Sequence, residues 1–135
     1  MGNEAGADLT DAAARLAGIA DALGESDWRD ELRRSGAIPA SLDAPPTWGQ
    51  VAMTGLDVVE GLAAAGQWDD ARHQAAFLAD FFTRMRRRLH GVAGVAFEGL
   101  AVAARAHDRE DLDEHAELIR ELFGADTEPV ARPDR

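Results

Sequence analysis

Cysteine, lysine and tyrosine are missing altogether from the 135 residues. Without cysteine there is no disulfide scaffold, no thiolate-held zinc, no iron–sulfur cluster and no thiol nucleophile. Long hydrophobic runs are missing too. The most apolar stretch, Val92 to Ala104, is short and interrupted by Glu98, whereas a membrane span needs ~20 apolar residues. No basic, apolar leader opens the chain, because the first cation is Arg15 and Glu4, Asp8 and Asp11 precede it; a cytoplasmic, soluble protein is the expectation. Cations are outnumbered, 25 acids against 14 arginines, for a formal charge of −11. Such a field repels nucleic-acid backbones and anionic membranes and favours a basic partner or plain solubility. Finally, no run alternates with period two, which leaves no strand to build a sheet on.

What is present is alanine, 28 residues of it, the best helix former. The length suits one domain with a core large enough to fold unaided. Apolar residues at three- and four-residue steps mark six helices. The first runs from Leu9 to Leu23 and stops at Gly24; the second, capped by Ser26, runs to Ser35 before Gly36. Pro39, Pro45 and Pro46 make residues 37–46 a linker. Thr47, with Gln50 three residues on, forms a capping box for a third helix to Ala65. Trp68, Ala71, Ala75, Leu78, Phe82, Met85 and Leu89 keep one seam through to His90, predicting a single long fourth helix. Gly91 then separates a fifth, Val92 to His107, apolar almost all round and so expected to be buried. Asp108 caps a sixth that ends at Phe123. The expected organisation is all-α: a flexible N-terminus over residues 1–8, one helical domain over 9–124 made of hairpins 9–36, 47–90 and 92–124, and a flexible tail over 125–135.

The turns repeat. Gly24-Glu-Ser-Asp-Trp28, Gly66-Gln-Trp68-Asp-Asp-Ala71 and His107-Asp-Arg-Glu-Asp-Leu112 start 42 and 41 residues apart, and Glu60-Gly-Leu-Ala63 recurs as Glu98-Gly-Leu-Ala101. The segment Leu62 to Ala71 resembles the inter-helix turn of tetratricopeptide-type repeats, with a period of about 41 residues here against ~34 in that family. The resemblance implies a helical-hairpin array presenting a surface to a protein or peptide; a compact six-helix bundle whose turns share chemistry is the alternative.

Candidate site residues follow from charge and exposure. Arg84, Arg86, Arg87 and Arg88 form a basic strip in an acidic chain. It either offsets the dipole at the end of the fourth helix or selects acidic groups on a partner. Phe77 and Phe81 widen the apolar stripe of the fourth helix, and together with Phe97 of the fifth would supply an edge for a partner helix or a homodimer. The segment Arg84-Met-Arg-Arg-Arg-Leu-His90 also resembles the Arg-x4–6-His motif of HEPN-type ribonucleases, which implies an alternative reading with Arg84 and His90 as a cleavage pair. His73 and His115 each follow an aspartate by four residues, but Ala71 and Leu112 as matching inward positions put the two histidines out of phase, so no metal is expected. No P-loop, nucleophile elbow or dinucleotide fingerprint is present, so no cofactor is expected. The preferred reading is a non-enzymatic interaction or regulatory module, acting as a homodimer.

Overall fold

The computed structural model describes residues 2–42, 44–84 and 88–130. Six helices occupy them: α1 (Gly2–Ala22), α2 (Ser26–Arg34), α3 (Trp48–Ala64), α4 (Trp68–Arg84), α5 (Arg88–Arg105) and α6 (Arg109–Phe123). No helix is long and apolar enough to cross a membrane among those residues. The all-α class read from alanine content and periodicity holds.

The repeated turns share one hydrogen-bond pattern. Glu25 N–H donates to Ala20 O, Gln67 N–H to Leu62 O and Asp108 N–H to Ala103 O, each with an inner bond from the preceding residue. These six-to-one closures need a left-handed residue just past the helix. Gly24 and Gly66 supply it at φ 74° and 78°, and His107 takes the same conformation at φ 56°. The His107 ring stacks on Trp68 at 5.2 Å, tying the α5–α6 turn to the start of α4. The capping box at Thr47 also forms as read: Thr47 Oγ1 accepts from Gln50 N–H, and Gln50 Oε1 accepts from Thr47 N–H.

The fourth helix departs from the sequence reading. It ends at Arg84 rather than running to His90, and Gly91 lies inside α5 instead of dividing two helices. In one unbroken helix Gly94 would stand about 16 Å beyond Thr83. Instead, a Cβ on Gly94 would run into Thr83 Oγ1, and the Phe97 ring stacks on Phe82 at 5.3 Å. The chain therefore reverses between Arg84 and Arg88, and α5 returns along α4.

Short turns make α3 to α6 antiparallel neighbours in sequence order, and the last helix packs back on the first. Gly49 closes that contact, for a Cβ there would strike the carbonyls of Phe123 and Asp126. Arg120 on α6 donates to Glu60 on α3 across the same seam. Trp48 and the rings of Phe82, Phe97 and Phe123, one or more from each of the four helices, meet at the centre. The α1–α2 hairpin packs outside this ring, α1 against α3, with Trp28 of α2 reaching Phe77 and Phe81 of α4.

Secondary structure and backbone hydrogen bonds extend beyond Leu9 at one end and Phe123 at the other. Helical backbone begins at Gly2, ahead of the Leu9 start. At the other end Trp48 N–H donates to Glu128 O, Val130 N–H donates to Pro46 O, and Val130 packs on the core. Residues 131–135 of the expected tail lie outside the described residues. The proline-rich linker is strapped down as well: Ala40 N–H donates to Ala14 O, and Gly18 gives room for that approach.

Candidate functional site

The reversal after Arg84 redistributes the basic strip. Arg84 is the last residue of α4, Arg88 the first of α5, and Arg86 and Arg87 lie outside the described residues. Arg84 thus sits where a cation offsets a helix C-terminus. The Arg84 guanidinium is also engaged within the chain. It donates to both oxygens of Glu25, a carboxylate only 15% exposed, and to Asp80 Oδ2 at 2.8 Å, while lying over the Phe81 ring. The bond to Glu25 is the chief reason its pKa is raised, against the opposing effect of desolvation. Arg84 ties the end of α4 to the residue that precedes α2 rather than standing free for an incoming anion.

Phe81 is 2% exposed and Phe97 is fully buried, so neither supplies the apolar edge expected of them. Trp28 of α2 covers Phe81 on α4, and Phe97 turns from α5 onto Phe82 of α4. Phe77 is half-buried, stacked on Trp28 at 6.4 Å. As for the alternative cleavage pair, Arg84 and His90 stand on different helices, and the His90 side chain lies outside the described residues. His73 on α4 turns to Glu31 of α2, whereas His115 bonds through Nδ1 to its own Asp111 carbonyl at 2.8 Å. Among the described residues no cluster of histidine and carboxylate could hold a metal ion.

Apart from Ile38 and Leu42 of the linker, the large exposed apolar side chains among the described residues lie elsewhere, on α5 and α6. Helix α5 was expected to be buried all round, yet Val95 is 71% and Val102 66% exposed, with Val92 exposed beside them. At 100° per residue these valines share a face with Gly99. Gly99 is where α5 meets α6, since a Cβ there would overlap the His115 ring. With the helices antiparallel, Val95 comes level with Leu118, the one large exposed apolar side chain of α6. Val92, Val95, Val102 and Leu118 therefore line one seam, with a shallow dip at Gly99 floored by the His115 imidazole. Val92 to Val102 spans ~15 Å of helix.

Acids border this face. Helix α6 carries six carboxylates and two arginines. Arg109 pairs with Asp113 at 3.1 Å, and Arg120 turns away to Glu60 and Glu117. Among the described residues, Glu98 on α5 and Glu114 and Glu121 on α6 are exposed and without an ion-pair partner. Arg105, also exposed, is a cation at the C-terminal end of α5.

No family model matches the chain. No curated protein matches it, and no solved structure does. The apolar face was nonetheless readable in part: valines three and seven residues apart around a glycine mark one side of a helix. Its exposure was not, because an all-round apolar pattern gives no sign of which side the neighbours leave open.

Proposed function

We propose that this protein is a non-enzymatic interaction module whose α5–α6 face binds a basic amphipathic helix of a partner protein. The observation that carries the reading is an exposed valine stripe flanked by unpaired carboxylates. A soluble surface seldom keeps three large aliphatic side chains in line without a use for them. A partner helix with apolar residues at three- and four-residue steps would bury Val92, Val95, Val102 and Leu118, and lysines or arginines on its flanks would meet Glu98, Glu114 and Glu121. The acidity of the whole chain, formally −11, would steer such a cation inward from a distance. A second copy of this chain is the occupant that charge disfavours, since pairing two such faces sets acid against acid.

The test is calorimetry with an amphipathic Leu/Lys helix of about 18 residues, long enough to cover the stripe, beside its Leu/Glu counterpart. The basic peptide should bind, several-fold more weakly as salt rises from about 0.05 M to about 0.5 M and screening sets in, and the acidic peptide should not. Equal binding of the two, or none by either, contradicts the proposal. So does sedimentation showing a stable dimer that Val95→Asn dissolves, for the face would then belong to a second copy.

A further inference from the structure

A cavity of about 220 Å³ lies where α1, α2, α3 and α4 converge, remote from the valine face. Leu32 and Val58, both buried, with Leu9 and Leu62, give it an apolar side, while Thr10, Ser35, Gln67, Glu31, Asp70 and His73 give it a polar one that opens to solvent. One polar side chain reaches it from within. Gln74 is 3% exposed, and its Oε1 accepts a hydrogen bond of 2.8 Å from the Trp28 indole Nε1. An indole N–H only donates, so the carbonyl end of the amide faces Trp28, which does not line the cavity. The NH2 end is left for the cavity, and among the described residues it has no hydrogen-bond partner. Water entering the cavity can reach that donor, and a ligand oxygen would take the water's place. Water at ~30 Å³ per molecule could fill the space several times over, and an aliphatic body entering it would displace water from Leu9, Leu32, Val58 and Leu62.

The carboxylates on the polar side are placed to take a cation. Asp70 and Gln74 are one turn apart on α4 and share a face, with Cβ atoms ~5–6 Å apart. Asp70 has no ion-pair partner among the described residues. Glu31 gives Oε2 to Arg34 but turns Oε1 toward His73 at 3.9 Å. Arg72 approaches His73 Nε2 at 3.3 Å as a donor, which assigns the ring proton to Nδ1, on the Glu31 side.

We propose that this cavity is a binding site for a small amphiphilic amine bearing a neighbouring hydroxyl or carbonyl oxygen. The oxygen accepts from the Gln74 amide, the ammonium sits against Asp70 and Glu31, and the aliphatic body covers the apolar side. An amino alcohol has its nitrogen and oxygen on adjacent carbons, close enough together to bridge Asp70 and Gln74. The site is independent of the partner face, so either can fail alone.

Leucinol is the probe, titrated into the full-length protein while the Trp28 indole N–H resonance is followed by NMR, because that proton reports directly on the Gln74 amide. The resonance should move saturably. 4-Methylpentan-1-ol, which has the same body and oxygen without the amine, should bind at least tenfold more weakly. Asp70→Asn should abolish that preference, and Ala13→Leu, which fills the cavity from α1, should remove the response while the helical circular dichroism is retained. A resonance that does not move, an alcohol that binds as tightly as the amine, or an amine affinity unaltered in Asp70→Asn overturns the proposal. A folded Ala13→Leu protein that still responds does so too.

Discussion

Replacing Phe82 by alanine is expected to destabilise the fold by about 3–5 kcal/mol, the range for deleting a buried aromatic ring. Phe82 is fully buried on α4, and its ring meets one aromatic from each of the other three helices of the ring: Trp48 at 5.6 Å, Phe97 at 5.3 Å and Phe123 at 5.3 Å. Its removal leaves a cavity bounded by four different helices, which can close only if several shift together. The loss is a large share of the ~5–15 kcal/mol that holds a domain folded, and it should lower the melting temperature by roughly 10–20 °C. Differential scanning calorimetry and urea unfolding measure it. A cost below about 1 kcal/mol would mean that the four helices do not converge on this ring.

The second large effect concerns binding and should leave stability alone. Val95 and Val102 face solvent in the free protein, so Val95→Asn with Val102→Asn changes folding free energy by no more than about 0.5 kcal/mol at each position. On a basic amphipathic helix the same pair removes two buried aliphatic contacts, each worth ~1.5 kcal/mol. Affinity should fall roughly 100-fold. Asparagine adds no charge, so the effect isolates apolar contact from attraction. Glu114→Gln with Glu121→Gln gives the complementary result: a smaller loss, carried by the association rate and its salt dependence. If the valine pair loses nothing while the glutamate pair loses everything, the peptide is held by diffuse charge and not by this face.

Local chemistry made much of the fold legible. Glycines at the turns, Thr47 with Gln50, and the spacing of Leu112, Ala116, Ile119 and Phe123 each specify a cap, a stop or an inner face from a few neighbouring residues. His107 shows how far this goes, since its turn was recognised by position although no glycine marks it. The reversal after Arg84 was hidden because the seam of Phe82, Met85 and Leu89 continues through it with no proline or glycine to break the rhythm, while Gly91 offered a false stop. Long-range pairing was hidden more deeply. Arg84 and Glu25 are 59 residues apart, and nothing near either residue signals that they meet. The basic strip therefore read as helix-end compensation or a partner surface, with no sign that its first member is engaged by Glu25. The docked segment from Asp126 to Val130 escaped notice for the same reason: its hydrogen-bond partners are the backbone of residues 46–49, far away in the chain.

Methyl NMR tests the account most directly. With valine, leucine and alanine methyls labelled, saturation of a basic amphipathic peptide should transfer to Val92, Val95, Val102 and Leu118 and leave Leu16 and Val51 in the core untouched. Transfer scattered over the acidic surface, or confined to Leu9 and Leu32 at the cavity, would contradict a partner face on α5 and α6.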